Sequence, residues 1–156
     1  MKKIFTIILT ALMISGCVGE TKETESIKVN EEQKIMTTIN QENQIQIQIG
    51  NKIFNATLEN NPTVEAFLKK LPLDIELEEL NGNEKYYRFN EIFPTDDSNP
   101  KNIHTGDLML FNGNYFVLFY KDFSTGYSYT RLGKIDNIEE LTEAVGKGAI
   151  KIKITK

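Results

Sequence analysis

The chain has 156 residues, a formal net charge of −4, one histidine, one cysteine and no tryptophan. That length holds one domain and a tether, and an acidic balance leaves neither an electrostatic footprint for nucleic acid nor a means of clinging to an anionic bilayer by charge. Only carboxylates are left as metal ligands, and there is no Asp-x-Asp-x-Asp-Gly loop, no Gly-rich phosphate loop and no Gly-x-Ser-x-Gly elbow, so neither a metal nor a cofactor is expected.

Lys2 and Lys3 precede an apolar run, Ile4 to Ile14, that leads into Ser15-Gly16-Cys17. A charged start, a short apolar stretch and small residues before a cut site make a secretory signal. The run falls well short of the roughly 20 residues that a spanning helix needs, and the polar stretch behind it fits poorly with a buried core helix. Ile14-Ser15-Gly16-Cys17 resembles the lipobox of prokaryotic lipoproteins. The resemblance implies that Cys17 is lipidated, becomes the first residue of the mature protein and anchors it to the extracytoplasmic face of the cell membrane. A lone cysteine in an exported chain has no partner for an internal disulfide, and thioether lipidation removes the stray thiol. The expected organisation is a signal peptide over 1–16, the lipidated Cys17 with a tether over 17–40, and a folded domain over 41–156. The tether, with Gly19-Glu20-Thr21-Lys22-Glu23-Thr24-Glu25-Ser26, is too polar to bury a core.

The domain opens with Gln44-Ile45-Gln46-Ile47-Gln48-Ile49, whose strict alternation puts isoleucines on one face of a strand. Gly50-Asn51 turns the chain, and Lys52 to Leu58 returns as a second strand. Asn61-Pro62 starts a helix, with Asn as cap and Pro at the first helical position. Val64, Phe67, Leu68 and Leu71 give that helix a buried face, and Pro72 ends it. Leu73 to Leu80 alternates as a strand with an acidic, solvent-facing side, and Asn81-Gly82 is a turn. Glu84 to Phe89 reads as a short strand or a single helical turn. Residues 93–105 form the longest polar loop. Gly106 to Phe111 and Tyr115 to Tyr120 are strands joined by Asn112-Gly113-Asn114; the second is continuously apolar, so both its faces should be covered. Tyr127 to Ile135 is a further strand. Asp136 with Glu139 predicts a capping box for a helix over Asn137 to Val145, closed by Gly146. Ala149 to Ile154 alternates as the last strand. With no repeating βα pattern, these elements predict a mainly β fold: a closed antiparallel barrel of about eight strands with two short helices.

Several segments together carry a resemblance. Ile45-x-Ile-x-Ile-Gly, Phe54-x-Ala56-x-Leu58-x-Asn60, Leu71-Pro72-Leu73, Leu80-Asn81-Gly82-Asn83-Glu84-Lys85-Tyr86, Gly106-Asp107-Leu108-Met109-Leu110-Phe111 and Ser124-Thr125-Gly126-Tyr127 through Ile135 occur in order over residues 43–154. The set resembles the cyclophilin-like family of small prokaryotic proteins. The resemblance implies a cyclophilin-like β-barrel of eight antiparallel strands closed by helices. It does not carry an activity with it. Cyclophilins isomerise X–Pro bonds on the outer face of the barrel with an arginine, glutamines, a phenylalanine, a tryptophan and a histidine. Tyr86-Tyr87-Arg88-Phe89 resembles the segment that supplies the arginine, but the tryptophan and the glutamine motif are missing.

Arg88 and Arg131 are the chain's two arginines. Arg131, with Tyr127 and Tyr129 at period two, reads as a ligand site in which the guanidinium grips a carboxylate or carbonyl and the rings stack. It reads also as a structural pair with a strand glutamate such as Glu76 or Glu78, and exposed cross-strand pairs of this kind are common. Arg88 divides the same way. Tyr120 stands at a strand end and could rim a pocket. His104 lies in a loop without triad context. The expected function is a membrane-anchored, extracytoplasmic lipoprotein whose domain binds a small ligand or a peptide without covalent chemistry, through Arg131, Tyr127, Tyr129, Arg88 and Tyr120. The alternative is a peptidyl-prolyl cis-trans isomerase acting on exported proteins.

Overall fold

Residue alternation decides most of the architecture. The computed structural model describes residues 43–156; the expected signal peptide, Cys17 and tether lie outside the described residues. Ten strands and two helices follow in order: β1 Gln44–Ile49, β2 Lys52–Leu58, α1 Pro62–Leu68, β3 Leu73–Leu80, β4 Glu84–Arg88, β5 Asn102–Ile103, β6 Asp107–Phe111, β7 Tyr115–Phe119, β8 Phe123–Ser124, β9 Thr130–Ile135, α2 Leu141–Val145 and β10 Ile150–Thr155. Eight of them close an antiparallel barrel in the order β1-β10-β3-β4-β7-β6-β9-β2, and β5 pairs with β8 as a small separate sheet. The inward residues form one core: Ile45, Ile47 and Ile49 of β1, Phe54 and Ala56 of β2, Leu77 of β3, Leu108 and Leu110 of β6, Phe116 and Leu118 of β7, and Ile152 and Ile154 of β10. The helices add Val64 and Phe67, and Leu141 and Val145, to the same core.

Helix α1 starts as expected. Asn61 Oδ1 accepts the Val64 amide at 2.9 Å, and its amide nitrogen donates to the Arg131 carbonyl at 2.9 Å, tying the helix to β9. It stops at Leu68, before Pro72, and the next turn tightens as Lys70 N–H donates to Phe67 O and Leu71 N–H to Leu68 O. Helix α2 departs from expectation. It begins at Leu141, and the Asp136–Glu139 capping box does not form. Asp136 instead accepts the Thr57 hydroxyl at 3.2 Å, and Asn137 accepts the Asn55 amide at 3.3 Å, so the would-be cap residues are spent on β2.

Two further expectations change. The strand foreseen over Tyr127 to Ile135 enters the barrel only at Thr130, and Tyr129 makes an isolated bridge with Ser98. The polar loop 93–105 is ordered across the outside of the barrel. Phe93 and Ile103 are buried, Thr63 Oγ1 donates to Pro94 O at 2.6 Å, and Asn102–Ile103 pairs with Phe123–Ser124. This covering explains why β7 is apolar on both faces. Gly133 marks a close strand approach: a Cβ there would overlap the backbone of Thr57 and Leu58.

Candidate functional site

The barrel order sets four strands side by side, β4-β7-β6-β9. Strand residues alternate between faces, so register decides which side chains share the outside. Tyr86 stands opposite Val117, which stands opposite Met109; Arg88 stands opposite Tyr115, and Tyr115 opposite Phe111. A second apolar cluster results on the outer face: Ile103, Met109, Val117, Phe119 and Tyr129 are buried there, with Tyr86, Phe111, Tyr115 and Phe123 packed against them.

A cleft of about 410 Å³ opens in this surface, lined by Tyr86, Phe111, Tyr115, Val117, Tyr127 and Tyr129, with Leu80, Asn81, Glu84 and Asn112 completing its margin. Phe111 is the hub of the rings. Its centroid lies 5.4 Å from Tyr129, 5.9 Å from Tyr127 in edge geometry and 6.3 Å from Tyr115. Tyr129 is buried, whereas Tyr127 is 66% exposed and stands free at the mouth. Asn81 and Asn112 adopt left-handed φ values of 57° and 49° at the first positions of the two hairpin turns, each followed by glycine.

Among the described residues Glu84 is the only ionisable carboxylate of the cleft lining, and no Lys or Arg lines it. Burial, and secondarily the nearby Glu79 charge, push the Glu84 carboxyl above its ordinary range. Tyr86 donates its hydroxyl to Glu78 at 2.6 Å, a bond that raises the phenol's pKa. Burial does the same for Tyr129, opposed by a hydrogen bond with Thr125.

Of the residues singled out from sequence, Tyr127 and Tyr129 line this cleft. Arg88 stands beside it, its guanidinium 5.5 Å from the Tyr115 ring centroid. Arg131 is drawn elsewhere: its Nη1 lies 3.7 Å from the carboxylate of Asp107, which is buried and also accepts the His104 amide at 2.9 Å. The expected glutamate partners are unavailable, because β3 lies between β10 and β4. Glu76 faces Lys151 across the strands and Glu78 holds Tyr86.

Tyr120 rims a different hollow, of about 510 Å³, beside the end of α2. There the polar groups already satisfy one another. Lys85, wholly buried, donates to Glu79 and to the carbonyls of Gly146 and Gly148, while Tyr120 donates to Glu79 at 2.8 Å. Glu79 therefore departs from the solvent-facing side expected for the β3 acids. His104 Nδ1 lies 3.5 Å from Asp122, whose other oxygen accepts the Thr105 amide and hydroxyl at 2.7 and 2.8 Å. Among the described residues no group of three or more His, Cys, Asp or Glu side chains is gathered as a metal site would need.

Tyr86, Phe111, Tyr115 and Glu84 were not singled out from sequence. Their signal was the period-two spacing of Glu84, Tyr86 and Arg88 and of Asp107, Met109 and Phe111, but only strand order says that these two faces meet.

Eight antiparallel strands closed into a barrel, with two helices packed into its core, define a cyclophilin-like barrel. The chain belongs to the cyclophilin-like family, whose pattern matches residues 47–155. Its fold is similar to the solution structure of the hypothetical protein AF2241 from Archaeoglobus fulgidus, with 16% identity, a TM-score of 0.51 and coverage of 72% of this chain and 92% of that one. No curated protein matches the chain.

Proposed function

We propose that this protein is a membrane-anchored, extracytoplasmic lipoprotein whose cyclophilin-like domain is a non-catalytic binding module, taking a small ligand or an extended peptide into the outer cleft. The observation that carries the binding reading is the convergence of Phe111, Tyr115, Tyr127 and Tyr129 on one solvent-open cleft. Phe111 and Tyr115 are part-sheltered, between the buried Tyr129 and the exposed Tyr127, and such rings present large apolar faces with little entropy to lose on binding. Tyr127 and Tyr129 are the contact residues of the proposal, and Arg88 flanks them. Arg131 and Tyr120 serve the barrel itself through Asp107 and Glu79.

Anchoring rests on Lys2, Lys3, the apolar run and Ile14-Ser15-Gly16-Cys17. Cells expressing the chain should incorporate labelled fatty acid into it, and Cys17→Ser should abolish the incorporation; label retained in that variant would refute the anchor.

Arg88 beside the cleft favours a second reading, an isomerase acting on exported proteins. One experiment separates the two. A proline-containing tetrapeptide is added to the protein and followed by NMR exchange spectroscopy. Shift changes at Tyr115, Tyr127 and Tyr129 without faster cis/trans exchange support the binding module. Accelerated exchange, lost in Arg88→Ala, supports the isomerase.

A further inference from the structure

The outer cleft has an unusual charge balance for a surface hollow. Its rings belong to Tyr86, Phe111, Tyr115, Tyr127 and Tyr129, and its one charged side chain among the described residues is the carboxylate of Glu84. Among the described residues Glu84 makes no ion pair and its carboxylate has no hydrogen-bond partner, although the side chain is half-buried. The neighbouring acids are differently placed: Glu79 is held by Lys85 and Tyr120, and Glu78 by Tyr86. A half-sheltered carboxylate without a counter-ion is costly, and here it lines the same cleft as five electron-rich rings. Such rings attract cations through their quadrupoles, and several together form the cage that recognises alkylammonium groups. The same surface already holds one cation of the chain's own, the Arg88 guanidinium over Tyr115 at 5.5 Å.

We propose that the cleft takes an organic cation, an alkylammonium group seated among Phe111, Tyr115, Tyr127 and Tyr129 with Glu84 as its counter-ion. The inference rests on the reading of the cleft as a binding site and gives that site a ligand class. The ammonium group could belong to a free quaternary amine or to a lysine side chain, which share this chemistry.

The test titrates the full chain, under NMR observation, with three probes: choline, Nα-acetyl-lysine methylamide, and 3,3-dimethylbutan-1-ol, which copies choline's shape without its charge. At least one cation should bind about tenfold more tightly than the neutral alcohol, with shifts at Tyr127 and Glu84, and added salt should weaken it. Glu84→Gln should remove most of that preference, and Tyr127→Ala should weaken binding of the cation; both positions are solvent-accessible, so both variants should fold. Tighter choline binding assigns the site to free quaternary amines, and tighter lysine binding to a peptide's lysine; either supports the proposal. If the neutral alcohol binds as well as the cations, or Glu84→Gln leaves the preference intact, the ammonium assignment is overturned while the cleft stands as a binding site. If no probe shifts a cleft resonance, the ammonium assignment is likewise overturned, and the proline tetrapeptide then decides separately whether the cleft binds anything.

Discussion

Tyr120 donates its phenolic proton to Glu79 across 2.8 Å, and Lys85 holds the other oxygen of the same carboxylate from a wholly buried position. The two remaining ammonium protons of Lys85 reach the carbonyls of Gly146 and Gly148, so the chain behind α2 is fastened to β4. A buried lysine is tolerated only when its protons are all engaged.

Lys85→Met keeps most of the volume but leaves one oxygen of the Glu79 carboxylate and two carbonyls without their donor. Breaking a buried pair from one side costs about 3 kcal/mol here, the low end of the usual range because Glu79 keeps some access to water. Urea unfolding of the variant against the parent measures the loss, and an unchanged midpoint would contradict the fastening role.

Tyr120 supplies a pH signature. Burial, then its bond to Glu79, pushes the phenol up to about 12, above its ordinary value of 10.0. A folded pKa above the unfolded one means that the stabilisation is complete below pH about 10 and is lost as pH rises toward about 12. Ring-carbon NMR titration should show Tyr120 as a late-titrating tyrosine, and Tyr120→Phe should remove both that titration and about 1.5 kcal/mol of neutral-pH stability.

Glu84 behaves in the opposite sense at neutral pH. Its folded pKa is raised by burial and by Glu79, so the carboxylate form is less favourable in the folded protein than in the unfolded chain. The associated stability is present at low pH and is lost as pH rises through the folded pKa. Glu84→Gln should therefore stabilise the protein at pH 7, by no more than about 1 kcal/mol given solvent screening, and should make no difference in acid where the carboxyl is already neutral. Unfolding midpoints at the two pH values decide this. A residue that lowers stability in the free protein yet sits in a cleft is placed as a binding group would be.

Gly133→Ala should be the most damaging small substitution on β9. The new methyl meets the backbone of Thr57 and Leu58, which belong to the neighbouring barrel strand and cannot rotate aside. Overpacking of this kind costs about 3 kcal/mol; thermal unfolding would show it, and a parent-like transition would mean that β2 can move.

Much of the barrel was legible beforehand because inward and outward residues alternate so strictly in β1, β3 and β10, and because Asn-Gly pairs mark the hairpins. The Asn61-Pro62 helix start was equally local. The α2 capping box failed for a non-local reason: Asp136 and Asn137 were already claimed by β2 residues 79 and 82 positions away. Polar side chains accept whichever donor the fold brings nearest, and spacing along the chain does not reveal it.

The candidate site divides along the same line. Local pattern alone determined the strands, their faces, the family resemblance and the interest of Tyr127 and Tyr129, since each depends on neighbours in the chain. Tertiary structure alone decided that β4, β7, β6 and β9 lie side by side, that Tyr86, Phe111, Tyr115 and Glu84 therefore meet those tyrosines, and that Arg131 pairs with Asp107. Alternation specifies which face a side chain occupies; only the order of strands around the closed barrel specifies which faces become neighbours.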